Sequence, residues 1–174
     1  MLTHWNNLLN TDCTVVDIGH HTVYPMFRVG YTSLLADADR TYINEQISNC
    51  EHIDILIRDP RDRFVSGINE YCRQNKLDIE GIMKLVEKGM LVDRHFAPQY
   101  LWLLHLYKFY KGSVTLKPFD YISKITQLHL RAGETHRHVE PIDQFVNVDL
   151  NLMNDLHKTV SLEDIIRKHK NVLS

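Results

Sequence analysis

The chain is poor in cysteine, balanced in charge and free of long apolar runs, and each shortage excludes something. Its three cysteines, Cys13, Cys50 and Cys72, are widely spaced and odd in number. Without a C-x-x-C pair the sequence encodes neither a zinc ribbon nor a thioredoxin-like motif, and free thiols of a reducing compartment are expected. The net charge of −2 gives no overall basic field for nucleic acid or an anionic membrane, so any anion site must be local. No apolar run is long enough to cross a bilayer. Residues Met1 to Asn7 lack the basic and apolar stretches of a signal peptide, so a soluble, cytoplasmic product is the expectation. There is no internal repeat, no low-complexity linker and no G-x-x-x-x-G-K-[ST] loop.

What is present fits one domain, residues 1–174, around a single core. Three short, β-branched runs read as strands: Thr22 to Phe27 (with a short strand at Thr14–Ile18 before it), Ile53–Ile57 and Ser113–Leu116. Helical spacing predicts helices over Thr32–Ala38 and Asp62–Gln74, and an amphipathic face through Ile79, Ile82, Met83, Val86 and Met90. Pro98 suits the first turn of a helix through Tyr107, and Gly112 a stop before the third strand. Ser161-Leu162-Glu163-Asp164 has the form of a capping box for a last helix. Strands alternating with helices predict an α/β fold with a mainly parallel sheet flanked by helices. Ligands of such sheets bind beyond the carboxyl ends of the strands.

Two segments with anion-binding chemistry fall at those ends. In the first, Phe27-Arg28-Val29-Gly30-Tyr31-Thr32-Ser33, a glycine permits close backbone approach, two hydroxyls and a guanidinium donate, and a helix N-terminus follows. In the second, Arg58 ends a buried strand and Ser66 lies on the next helix, so a bidentate fork and a hydroxyl can share one phosphate. Each segment also reads as an ordinary turn, with Asp59 or Asp62 capping the helix and Arg58 or Arg63 paired to them.

Together the segments resemble the donor-binding loops of sulfotransferases that use 3′-phosphoadenosine 5′-phosphosulfate (PAPS), most closely the carbohydrate-modifying branch. The first is similar to P-K-x-G-x-T-[ST]. The second matches R-D-P-x-x-R-x-x-S at every fixed position, through Arg58, Asp59, Pro60, Arg63 and Ser66. His95-Phe96-Ala97-Pro98-Gln99 is similar to an H-x-x-P-Q segment of that branch, and residues 113–122 to its strand and short helix near the donor. The resemblance spans Val23 to Ile125.

The resemblance implies a P-loop-like three-layer fold and sulfuryl transfer from PAPS to an acceptor hydroxyl of a carbohydrate or small molecule. PAP is the product, and neither metal nor nucleic acid takes part. It implies that Arg28, Val29, Gly30, Tyr31, Thr32 and Ser33 hold the 5′-phosphosulfate, and that Arg58 and Ser66 hold the 3′-phosphate. Arg28 stands where the family has its catalytic lysine, and Phe27 where it has proline. Arginine keeps the charge in a bulkier, planar form. His95 is the expected base beside Arg28 as catalytic residue, with His52, Glu45, Asp37 and Asp39 as alternatives. The alternative function is a non-catalytic module that binds PAP or another nucleotide, or a degenerate interaction protein on the same fold. A nucleotide kinase-like enzyme fits less well without the P-loop lysine.

The late basic loop Gly133–Glu140, with Arg131 and Arg137, is expected near the donor by the same resemblance. His20-His21 and His136-Arg137-His138 read as surface histidines, the aromatic residues from Tyr100 to Tyr110 as core, and Lys168-His169-Lys170 as a solvated helix end.

Overall fold

Ile53, Ile55 and Ile57 are buried on one face of a six-residue strand, and Leu56 on the other. Burial on both faces places this strand inside a sheet with cover on each side. The computed structural model describes residues 9–127 and 137–170. Its strands are β1 (Thr14–Ile18), β2 (His21–Val23), β3 (Arg40–Ile43), β4 (His52–Ile57), β5 (Ser113–Pro118) and β6 (Thr159–Ser161), in the order β3-β1-β2-β4-β5-β6. The helices are α1 (Tyr31–Ala36), α2 (Pro60–Asn75), α3 (Ile79–Glu87), α4 (Gln99–Tyr107), α5 (Ile122–Ile125), α6 (Asp143–Leu150) and α7 (Leu162–His169). Short 3-10 turns cover Asn44–Asn49, Phe119–Tyr121 and Asn151–Asp155.

The α/β class holds, but the sheet is mixed rather than mainly parallel. Only β2, β4 and β5 run parallel; β1, β3 and β6 join their neighbours antiparallel. The reason is local. Two residues link β1 to β2, and Gly19 takes φ 59° at the first of them, where a tight hairpin turn calls for glycine. The predicted strand to Phe27 stops at Val23, just before Pro25, which has no N–H for a ladder.

α2 packs on α3 and α6, and α4 on α6 and α7. A continuous hydrophobic cluster runs from Leu9 through Val15, Ile55, Phe64, Leu101 and Val114 to Ile166. Tyr100 and Trp102 belong to it, as the sequence predicts. Cys13 and Cys72 are buried and all three cysteines are free; burial raises the Cys13 thiol to about 12, which keeps it protonated and inert. Ser161 Oγ accepts the Asp164 N–H, the predicted cap of the last helix. The end of that helix is not solvated as expected: His169 is buried and bonds Asp155, as does Lys168. Among the described residues no helix is long and apolar enough to cross a membrane.

The three parallel strands end at one edge. β2 leads into residues 24–30, β4 into Arg58-Asp59-Pro60, and β5 into Phe119-Asp120-Tyr121. These segments build the site.

Candidate functional site

The second segment folds as its residue types dictate. Asp59 caps α2, its carboxylate accepting the N–H groups of Arg61 and Asp62, and Pro60 fills the first helical position. Asp59 is thus engaged by backbone, and Arg58 makes no ion pair with any described carboxylate. The Arg58 backbone N–H donates to Gln99 Oε1 (2.9 Å), and Gln99 Nε2 returns a bond to the Arg58 carbonyl. Its side chain donates through Nη1 to the Arg28 carbonyl (3.1 Å) and lies over the Phe119 ring, 5.2 Å from the centroid. Burial, and then the neighbouring Arg28 charge, lower its pKa, against the opposing pull of Asp62 and Asp59.

The first segment is wound by two left-handed residues, Arg28 (φ 62°) and Gly30 (φ 76°), with Val29 between them. Such alternation forms the backbone concavity that favours anions. One of its N–H groups is already used, since Val29 donates to the Met26 carbonyl. Gly30 is required twice over. Its φ suits glycine, and a Cβ there would lie 2.0 Å from the Ile122 side chain. No side chain caps α1 at Gly30, so the N–H groups of its first turn lack a side-chain partner at the cap. Thr32 is exposed, Tyr31 and Ser33 half-buried.

The two segments meet. Arg28 donates through Nε (2.9 Å) and Nη2 (2.7 Å) to Ser66 Oγ, and its Nη1 is 3.6 Å from Glu70 Oε2. Ser66 is fully buried on α2. Arg28, predicted on the 5′-phosphosulfate, therefore points toward the pair predicted for the 3′-phosphate. Arg63 lies beneath, buried, with Nη1 on the Ala97 carbonyl and Nε and Nη2 without partners. Desolvation lowers it to about 10; Asp149 opposes that shift, and Arg58 and Arg28 add to it. Asp149 in turn accepts the N–H groups of Gln99 (2.6 Å) and Tyr100 (2.8 Å) at the start of α4, and burial raises it to about 6. It remains mostly ionised at neutral pH and opposite in sign to Arg63.

His95 adjoins the first segment, its ring 5.2 Å from that of Phe27. Asp93 Oδ1 is 2.5 Å from His95 Nδ1 and also accepts the His95 N–H. Burial pushes Asp93 up, but the His95 bonds outweigh it and hold the carboxyl below its ordinary range. In the neutral ring, a carboxylate at Nδ1 selects the tautomer with the proton there and Nε2 as acceptor. Gly67 lets α2 approach, because a Cβ would meet the His95 carbonyl oxygen at 2.2 Å.

The other base candidates lie elsewhere. His52 opens β4 at the opposite edge, bonded to Ser113 and Thr115. Asp39 accepts the Gly19 N–H, Asp37 that of Gln127, and Glu45 is exposed on a 3-10 turn. His21 also stands apart, paired with Asp54. Arg137 is tied to α2 through Asn69, whereas Arg131 and residues 133–136 of the predicted basic loop lie outside the described residues. Reading the sequence alone missed Asp93, Glu70 and Asp149. Asp93 was within reach, as a carboxylate two residues from a singled-out histidine; Glu70 and Asp149 act through contacts distant in sequence.

Comparison with protein-family models, with curated proteins and with solved structures finds no match at a significant level.

Proposed function

We propose that the carboxyl edge of β2 and β4 binds PAPS and that the chain transfers its sulfuryl group to an acceptor hydroxyl. The observation that carries this reading is Arg58, a half-buried guanidinium that donates to the Arg28 carbonyl, pairs with no carboxylate among the described residues and feels the repulsion of the Arg28 charge. Desolvated like charges of this kind are relieved by a bound anion. Arg58 and Ser66 hold the 3′-phosphate, the Ser66 hydroxyl keeping its own proton for a phosphate oxygen while its lone pairs face Arg28. Residues 28–33 hold the 5′-phosphosulfate by backbone N–H groups.

His95 Nε2 takes the acceptor proton as the acceptor oxygen bonds to sulfur. The bond from sulfur to the bridging phosphate oxygen breaks, and its electron pair leaves with PAP. In-line placement and neutralisation of the leaving oxygen supply the acceleration.

A second reading, nucleotide binding without transfer, is favoured by one contact. Arg28 is directed to Ser66 and Glu70 rather than across its own loop. Turnover of radiolabelled PAPS with a panel of hydroxyl acceptors separates the two. Transfer by the wild type supports the enzyme. PAP binding with no transfer, restored in Arg28→Lys, supports the binding module.

A further inference from the structure

The described residues expose five large apolar side chains, and three of them lie on α3 and its two flanking turns: Leu77 (44% exposed), Leu85 (39%) and Met90 (72%). Single exposed apolar residues are ordinary; a contiguous group marks an interaction surface. The two turns make these three a group. Past the end of α3, Gly89 takes φ 67°, its N–H donates to the Val86 carbonyl (2.9 Å), and the Met90 N–H donates to the Leu85 carbonyl (2.9 Å). This paired closure sets the Met90 side chain beside that of Leu85. The sequence pattern places Met90 on the buried face, but the helix ends at Glu87 and the turn at Gly89 directs it outward. At the other end, the Asp78 carboxylate caps α3 by accepting the Gly81 N–H (2.8 Å). Leu77 stands just before this cap, in the position that packs on Ile82. Ile82 and Leu85, three residues apart, are neighbours on the helix surface. Leu77, Leu85 and Met90 therefore form one row along α3, roughly 13 Å long.

The charges around this helix are sorted. Lys88 and Lys84 lie about 60° and 100° round the helix from Leu85, and Lys76 adjoins Leu77. Glu80 and Glu87 are about 140–160° away, on the opposite side. Asp78, the carboxylate next to Leu77, is engaged as the cap. All three lysines are exposed. The apolar row is thus bordered by cations, while Ile82 and Val86 hold the helix to the core by its other face.

We propose that this row docks the chain on an anionic lipid surface. Leu77, Leu85 and Met90 enter the interface, and Lys76, Lys84 and Lys88 meet the lipid headgroups. Charge selects this occupant. A second copy of the chain, meeting the row by two-fold symmetry, would set lysines against lysines. The net charge of −2 does not prevent docking, because charges farther than a screening length from the surface count for little. Three side chains without a lipid anchor give shallow, reversible binding. The inference is independent of the PAPS reading.

Co-sedimentation of the full chain with vesicles of equal parts phosphatidylserine and phosphatidylcholine, and with phosphatidylcholine alone, tests it. The expected result is saturable binding to the mixed vesicles that fades as salt is raised, and none to phosphatidylcholine alone. Leu85→Ser with Met90→Ser should weaken binding at least about tenfold. Lys84→Gln with Lys88→Gln should weaken it about 30-fold. Ile43→Ser, at an exposed apolar residue of β3, should leave it unchanged. These positions are all exposed, and thermal unfolding verifies that each variant folds. No binding to the mixed vesicles, equal binding to phosphatidylcholine alone, or an equal loss in Ile43→Ser overturns the inference. So does a concentration-dependent dimer, seen by sedimentation velocity without lipid, that Leu85→Ser with Met90→Ser abolishes; the row would then belong to a second copy.

Discussion

Two charge clusters in this molecule differ in where their counter-ions are. Asp155, buried behind α7, accepts Lys158 (2.9 Å), Lys168 on both oxygens (2.7 Å each) and His169 (3.1 Å). Burial would raise this carboxyl, but the bonds from Lys168, Lys158 and His169 outweigh it and hold it far below its ordinary range. Charge is balanced within the chain, and such a cluster fastens the last helix to the turn before β6. At the carboxyl edge of β2 and β4 one guanidinium, that of Arg58, forms no ion pair with a described carboxylate. Arg28 and Arg58 add repulsion to Arg63, and Arg28 to Arg58; Glu70 is shared between Arg28 and Arg73, and Asp149 accepts the N–H groups at the start of α4. A cluster closed on itself is a structural fastening. We read one in which a guanidinium pairs with no described carboxylate as open to an anion from outside the chain.

The contrast can be broken from either end. The largest expected effect is on the fastening. Asp155→Asn leaves two lysines and a buried histidine without their carboxylate and should lower unfolding stability by about 3 kcal/mol in denaturant titrations, with PAP affinity unchanged. The same group sets a pH dependence. Its folded pKa lies below its unfolded value near 3.9, so its contribution is complete above about pH 5 and is lost as pH falls toward the folded value. Stability of the wild type should decline on acidification through that window, and Asp155→Asn should flatten the decline. If PAP affinity also fell in Asp155→Asn, the two clusters would not be separable.

Next is the open cluster. Arg58→Ala should weaken PAP by roughly 10- to 100-fold in calorimetry, the loss of charge-assisted bonds to a phosphate. Its unfolding stability should change little, since removing a cation from beside Arg28 relieves repulsion. A large loss of stability with unchanged PAP affinity would make Arg58 a fastening like Asp155. The smallest effect is that of Ser66→Ala, which removes the acceptor of both Arg28 bonds and one phosphate donor. It should weaken PAP about fivefold.

The two clusters were unequally legible in the sequence. Arg58 through Ser66 could be read because strand, capping aspartate and helix follow one another locally, and the structure bears these out, with the helix starting at Pro60 rather than Asp62. The meeting of Arg28 with Ser66, 38 residues apart, could not. It depends on Arg28 adopting a left-handed backbone, which no residue preference announces for arginine. Lys168-His169-Lys170 looked like a solvated end because Asp155, the partner that buries His169, lies 14 residues earlier. β3 escaped because it is largely exposed and carries no apolar alternation, and β6 because it has three residues. α6 starts without a side-chain cap. The mixed sheet came from a hairpin turn of two residues, too short for the crossover that a parallel neighbour would need.

The central claim is that the edge at Arg58 and Ser66 is a site for the 3′-phosphate of an adenine nucleotide. Isothermal titration of the wild-type chain with PAP and with adenosine 5′-monophosphate, which lacks only that phosphate, tests it most directly. The account predicts that PAP binds at least tenfold more tightly. Equal affinity for the two, or no heat from PAP at high micromolar concentration, would contradict it.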